Sequence, residues 1–203
     1  MSVNPKVAFF DGIAERWDGW EDLELLATRL DAGLATLGVE PGESVVDVGC
    51  GTGNLTLALL RRLSPAGRVL AVDLAPAMIA VARRKVSDPR VTWHVGDALR
   101  LPLADGAADR VLCCSVWPHF DDPAATAAEL RRALRPGGTL DVWHPLPRAR
   151  VNAIHADAGE AVRRDVLPPA EETARLLAGL GFRVARTIDD ATQYLVSAAR
   201  SAE

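Results

Sequence analysis

Val45-Val46-Asp47-Val48-Gly49-Cys50-Gly51-Thr52-Gly53-Asn54 is the stretch on which the fold turns. Its first half, with Ser44, reads as a short buried strand rich in β-branched side chains. Its second half is a glycine-rich turn, after which Leu55, Ala58, Leu59 and Leu63 recur at helical spacing. A strand that breaks into glycines and opens a helix lets the backbone pass close beneath a ligand. The N–H groups of the turn and helix start then suit a carboxylate or phosphate. Asp73 follows Gly53 by 20 residues and ends the next strand, where a doubly wound fold sets an acidic side chain against ribose hydroxyls.

Working outward, Leu23, Leu26, Ala27, Leu30, Leu34 and Leu37 predict an amphipathic helix over residues 20–37, ended by Gly38. Further strands are expected at 69–73, 91–95, 109–115 and 139–144, with a helix from Pro76 to about residue 85. Asp122 stands at an N-cap with Pro123 at N1, and that helix runs to residue 135 before Pro136, Gly137 and Gly138 turn the chain. Residues 145–167 are the least legible, with a short helix around 151–161. Pro168 and Pro169 then open a helix closed by Gly181. Phe182, Val184, Arg186 and Ile188 alternate, as do Thr192, Tyr194, Val196 and Ala198, and the few residues between the runs leave no room for a crossover helix. The last strand is therefore expected antiparallel to its neighbour. The fold class is α/β: a doubly wound, Rossmann-like, seven-stranded sheet, mainly parallel with an antiparallel last strand, in three αβα layers.

With 203 residues and 49% hydrophobic composition, a single domain is expected over 1–203, its helical N-terminal segment at 1–38 preceding a core at 40–200. Lys and Arg total 23 against 27 Asp and Glu, a net charge of -4, and the basic pairs are scattered over different helices. Nucleic acid is accordingly not an expected partner. No apolar run approaches the ~20 residues of a bilayer span, and the N-terminus lacks the apolar region of a secretory signal, so no membrane partner and a cytoplasmic location are expected. Cys50, Cys113 and Cys114 form no CxxC pair and read as small buried thiols, with no metal and no disulfide framework expected.

The dinucleotide fingerprint needs a small residue where this chain has Asn54, or Thr56 in the alternative register, which disfavours an NAD-dependent oxidoreductase. Instead the chain resembles, over about residues 40–200, the class I S-adenosylmethionine-dependent methyltransferases, in their UbiE-like small-molecule branch. The likeness is carried by D-V-G-C-G-T-G from Asp47 to Gly53, Val72-Asp73 with Pro76 and Met78, Gly96-Asp97-Ala98, Leu134 to Gly138, and Gly181-Phe182. The resemblance implies S-adenosylmethionine as cofactor and S-adenosylhomocysteine as product. It implies Asp47 near the cofactor's amino end and Gly49, Gly51 and Gly53 under its methionine and ribose. It further implies Asp73 on the ribose hydroxyls, Leu74 and Met78 by the adenine, Asp97 and Ala98 along the adenine edge, and Cys114 with Ser115 beside the methionine portion. A non-catalytic cofactor-binding or interaction module is the other alternative.

Methyl transfer from a sulfonium needs in-line positioning, a dry pocket and in some cases a base. The run Cys113 to Phe120 departs from the Asn/Asp-Pro-Pro-Tyr/Phe pattern of relatives that methylate amide or nucleobase nitrogens, so a small-molecule acceptor is expected, its O, N, S or C atom left open. Phe9, Phe10, Trp17 and Trp20 cluster ahead of the core and are expected both to fasten an N-terminal helix and, with Trp117, to line the acceptor site. His119 follows strand four, and His144, Arg148, Asn152 and His155 follow strand five, at the strand ends where open α/β sheets bind ligands. His144 or His119 is the candidate base, Arg148 would pair with an anionic group, and Asn152 and His155 would touch the acceptor. The oligomeric expectation is monomer or homodimer.

Overall fold

The computed structural model describes residues 4–202, and the chain divides into two compact units, one ending at Asp97 and one starting at Ala98. In the N-terminal unit, α1 (Pro5–Trp17) and α2 (Leu23–Leu37) precede β1 (Ser44–Val48), α3 (Asn54–Arg62), β2 (Arg68–Asp73), α4 (Pro76–Lys85) and β3 (Val91–Val95). Strand order is β3-β2-β1, all parallel, with Val46 opposite Leu70 and Leu70 opposite Thr92. Val45, Val46, Val48, Val69, Ala71 and Val72 are each at most 1% exposed, so residues on both faces of the central strands lie in the core. Asp22 accepts a hydrogen bond from the Leu25 N–H and caps α2. That cap starts the helix three residues later than its hydrophobic pattern suggested, and residues Asp18–Trp20 form a 3-10 turn instead.

The C-terminal unit contains β4 (Ala108–Cys114), α5 (Pro123–Ala133), β5 (Leu134–His144), α6 (Arg148–Asp157), α7 (Ala170–Gly179), β6 (Phe182–Asp189) and β7 (Tyr194–Arg200). Its order is β4-β5-β7-β6. β4 and β5 are parallel, and β7 is antiparallel to both β5 and β6, as the short link between the last two strands requires. The seven-stranded, mainly parallel Rossmann-like sheet with its antiparallel last strand is therefore the fold of this chain.

In this unit the boundaries of β5 and α6 also differ from the sequence pattern. β5 begins at Leu134, taking in the Pro-Gly-Gly that reads as a turn. A Cβ on Gly138 would come within 2.9 Å of the carbonyls of Arg135 and Asp109, so the glycine admits two backbones at close approach. α6 begins at Arg148 and ends at Asp157, where Ala158 takes an extended conformation.

Inside the C-terminal sheet, Arg110 of β4 pairs with Asp141 of β5 at 2.6 Å, and Ser197 of β7 donates to the same carboxylate. Burial pushes the Asp141 carboxyl up, against the pull of Arg110 and Ser197. One carboxylate thus ties three neighbouring strands together.

Candidate active site

β1 delivers the chain into a turn in which Gly49, Gly51 and Gly53 take φ of 68°, 53° and 83°, the left-handed region open to glycine without strain. The Gly49 and Cys50 N–H groups both donate to the Val72 carbonyl, at 2.8 and 3.0 Å, fastening the turn to the end of β2. The Gly51 N–H donates to Asp73 Oδ2 at 2.8 Å, and Asp73 Oδ1 accepts from the Ala75 N–H at 2.9 Å. The carboxylate is therefore fixed between the turn and the start of α4. A Cβ on Gly51 would meet no atom within 4 Å, so space is open there for a ligand to approach the backbone. On Gly53 it would lie 3.0 Å from the Trp93 ring and 3.2 Å from Ala82, which makes that glycine a packing requirement. α3 starts directly after Gly53 with no side-chain cap, leaving its positive end suited to an anion.

Asp47 lies beneath this turn, 1% exposed, and accepts a 2.6 Å hydrogen bond from Thr56 Oγ1. Burial raises its carboxyl to about 7, Thr56 opposing the rise and the Asp73 charge adding to it. Burial also pushes the Cys50 thiol well up, with Asp47 and Asp73 adding to the effect, so this cysteine is an inert apolar filler.

α1 packs on α4, where Phe10, Ile13 and Trp17 meet the cluster of Ala14, Ala75 and Met78. Phe10 and Trp17 thus fasten the helix as expected, while Trp20 is 60% exposed. Asp11 Oδ1 accepts from the Ala77 N–H at 2.8 Å and so caps α4, which has no cap of its own. Asp18 accepts from Thr52 Oγ1 at 2.6 Å and Asn54 Nδ2 at 3.0 Å and pairs with Lys85 Nζ at 2.7 Å. Lys85 also donates to Asn54 Oδ1 at 2.8 Å. Burial alone would raise the Asp18 carboxyl, but the bonds from Lys85, Thr52 and Asn54 hold it below the usual range. This clasp joins the 3-10 turn to the glycine turn and to the end of α4. Its members lie in three separate segments with no recurring spacing, which left it invisible to sequence patterns. Leu74 is partly exposed, Met78 is buried in the α1 contact, and Asp97 ends the unit.

In the C-terminal unit, Ala98 is buried, and Cys114, partly buried, ends β4. Ser115 follows with φ of 57°, the one non-glycine residue at positive φ among those described, a strained conformation of the kind that clusters at functional sites. A 3-10 turn over Trp117–His119 comes next, with Trp117 buried edge-on to Phe120. His119 Nδ1 lies 2.7 Å from Asp165 Oδ2. The His155 ring stacks 4.7 Å from His119, and its Nδ1 donates to the Asp165 carbonyl. His144, at the end of β5, is 1% exposed and edge-on to Tyr194 at 5.6 Å, and neither of its ring nitrogens has a partner. Burial, with the nearby His119 and His155, depresses it to about 3. Burial also lowers His155, with the Asp165 carbonyl opposing.

The three histidines singled out from sequence do come together. Arg148 and Asn152 are engaged elsewhere: Arg148 pairs with Asp189 at 2.7 Å, and Asn152 braces the backbone N–H and carbonyl of Leu167. Asp165, in the least legible stretch, carried no motif that would have revealed it. Among the described residues no group of three or more His, Cys, Asp or Glu is arranged to hold a metal ion, and no helix is long and apolar enough to cross a membrane.

A family profile described as a methyltransferase domain matches residues 45–138, from β1 through the start of β5. A ubiquinone/menaquinone biosynthesis C-methyltransferase UbiE from Caulobacter vibrioides is 36% identical over 177 residues, covering 77% of this chain and 70% of that protein. The chain belongs to the class I S-adenosylmethionine-dependent methyltransferases. A malonyl-[acyl-carrier protein] O-methyltransferase from Hahella chejuensis is 41% identical over 145 residues, 70% of this chain and 51% of that protein. The chain spans about half the length of the first curated relatives it matches. Among solved structures, a putative methyltransferase in complex with the Trm112 activator from Haloferax volcanii superposes with a TM-score of 0.76 at 23% identity, over 95% of this chain and 98% of that one. The family's cofactor is S-adenosylmethionine, and the N-terminal unit fits it. The open face of Gly51, the uncapped start of α3 and the fixed Asp73 carboxylate offer a place for a carboxylate, a sugar and their intervening chain.

Proposed function

We propose that this protein transfers a methyl group from S-adenosylmethionine to a small-molecule acceptor. The observation that carries the reading is the hydrogen bond from the Gly51 N–H to Asp73, which holds the ribose-binding carboxylate at a set distance from the glycine turn. Gly49, Gly51 and Gly53 pass under the methionine and ribose, Asp73 accepts from the ribose hydroxyls, and Leu74, Met78 and Asp97 border the adenine. Asp47, buried below and protonated up to about 7, favours the ammonium group once it ionises. The cofactor, when bound, supplies a methyl group made electrophilic by its sulfonium. An NAD-dependent oxidoreductase is not favoured, since Asn54 stands where a small residue would be required.

On the acceptor side, His119 is the better candidate base, because Asp165 orients its ring, whereas His144 is enclosed and held neutral. Trp117 and His155 support the walls of that region, Arg148 and Asn152 being engaged with Asp189 and Leu167 instead, and Phe10, Trp17 and Trp20 anchor and edge the N-terminal segment. The family match runs across both units, which supports residues 1–203 acting as one methyltransferase domain. The quinone and malonyl acceptors named for relatives support a small molecule over nucleic acid or membrane. We read the protein as a cytoplasmic monomer or homodimer. Isothermal titration should show micromolar binding of S-adenosylhomocysteine and none of NADH; the reverse result would reject the reading. A mass-spectrometric screen for methylated products against a metabolite library then identifies the acceptor.

A further inference from the structure

The glycine turn of the N-terminal unit has one side chain at its middle. Gly51 and Gly53 both take positive φ, and Thr52, buried between them, is the residue through which the rest of the unit can grip the turn. Its hydroxyl donates to Asp18 Oδ1 at 2.6 Å, and Asn54 Nδ2, at the first position of α3, donates to the same oxygen at 3.0 Å. The other carboxylate oxygen of Asp18 meets Lys85 Nζ at 2.7 Å, and that ammonium donates to Asn54 Oδ1 at 2.8 Å. One acid from the turn after α1 therefore holds the residues on either side of Gly53. Asp73 is anchored by the N–H groups of Gly51 and Ala75, and the N-terminal segment reaches both anchors. Thr52, next to Gly51, is held by Asp18, while Ala75 packs with Ala14, and the Ala77 N–H donates to Asp11. Residues 11–18 thus brace each end of the cradle around the Asp73 carboxylate.

We infer that Asp18 is a positioning residue for cofactor binding: acting through the Thr52 hydroxyl, it sets the pose of the glycine turn, so that docking of α1 and occupation of the cofactor site favour one another. The inference deepens the methyl-transfer reading above and rests on it. Asp18 works through Thr52 rather than on the cofactor itself. Released from Asp18, a turn flanked by two glycines samples more backbone conformations, and binding must then restrict it at a cost in affinity. The same restriction acts in reverse, because a coupling between two equilibria is reciprocal. Whatever factor the docked helix adds to cofactor affinity, bound cofactor adds to the stability of the docked helix. The exposed Arg84–Glu15 pair, which also ties α1 to α4, makes no contact with the turn and supplies the contrast.

Calorimetry with S-adenosylhomocysteine compares the parental protein with Asp18→Ala, Thr52→Val, Thr52→Ser and the Asp18→Ala/Thr52→Val double variant. Asp18→Ala and Thr52→Val should each weaken binding about tenfold, and the double variant should fall within about twofold of the weaker single one, since both remove the same contact. Thr52→Ser keeps the hydroxyl and should stay within about threefold of the parental affinity. Arg84→Gln should bind as the parental protein does. Hydrogen exchange supplies the reciprocal readout: saturating S-adenosylhomocysteine should slow the α1 amides several-fold in the parental protein and in Arg84→Gln, and leave them unchanged in Asp18→Ala. Should Asp18→Ala not fold, Thr52→Val against Thr52→Ser, with exchange in α1, decides the same question. If S-adenosylhomocysteine does not bind the parental protein, the methyl-transfer reading fails and takes this one with it. If it binds and folded Asp18→Ala keeps the parental affinity, or the losses at positions 18 and 52 multiply, or Thr52→Ser binds as weakly as Thr52→Val, only the present inference is overturned.

Discussion

At the scale of single residues, Asp73 carries the most direct consequence. Its carboxylate is already ordered by two backbone N–H groups, so in the reading proposed above it would meet a ribose without a further ordering penalty. Asp73→Ala should weaken S-adenosylhomocysteine binding by at least ~1.5 kcal/mol, roughly tenfold or more, in a folded protein; unchanged affinity by calorimetry would remove the residue from the site. Asp47 gives a pH signature. Folded, it keeps its proton up to about 7, while an unfolded aspartate releases it near 3.8. The folded state holds the extra proton between those values, so the Asp47 contribution to stability falls as pH rises from about 4 to about 7 and is level above. His144 acts oppositely. Depressed from 6.5 to about 3, it destabilises the fold as pH drops through that interval. The opposed slopes mask each other, and a substitution separates them. Asp47→Asn retains an acceptor for Thr56 and should melt at least roughly 5 °C above the parental protein at pH 8, with little difference at pH 4. An equal gain at both pH values would show that Asp47 is not held protonated.

At the scale of elements, the Asp18 clasp decides how firmly α1 is held. Each partner is 24% exposed, so the ion pair is partly screened, and the neutral bonds from Thr52 and Asn54 share the work. Lys85→Ala should therefore destabilise the protein only modestly, by about 1 kcal/mol, while raising amide hydrogen exchange over α1 several-fold. Exchange in α1 that matched the parental protein would show that the Phe10, Ile13 and Trp17 contacts suffice alone. Much of this level was readable from sequence. The Asp122 cap, the first-turn prolines at 76 and 123 and the alternation of the last two strands are local signals, and each appears where its chemistry directs. The clasp and the Asp165 contacts were not readable, since both join residues distant in sequence through polar groups that leave no period. The start of β5 was misread because Pro-Gly-Gly is turn chemistry, and only the close backbones of Asp109 and Arg135 make those glycines useful in a strand.

At the scale of the molecule, the N-terminal sheet buries the Asp47 carboxyl against the Thr56 hydroxyl, while the C-terminal one has a buried ion pair at its centre. Arg110, Asp141 and Ser197 satisfy one another across β4, β5 and β7. Asp141→Asn removes the negative charge paired with the buried Arg110 guanidinium and should destabilise by about 3–5 kcal/mol, read as a shifted denaturant midpoint. An unshifted midpoint would mean that Arg110 reaches water when released. The site was legible in the same uneven way. The glycine turn, Asp73 and the convergence of three histidines follow from strand ends of an open sheet, whereas the engagement of Arg148 and Asn152 in local bracing depends on tertiary contacts that no pattern encodes.

The double contact of Asp165 also bears on how this region can vary. Any amino-acid replacement at position 165 alters the group that faces His119, yet the oxygen that faces His155 belongs to the main chain and survives every replacement. A saturation library at this position would expose one histidine's dependence and conceal the other's. The anchorage of His155 can be lost only through changes that move the loop itself, such as an insertion, a deletion or a proline nearby, so tolerance to substitution at 165 would say nothing of tolerance to a change in loop length.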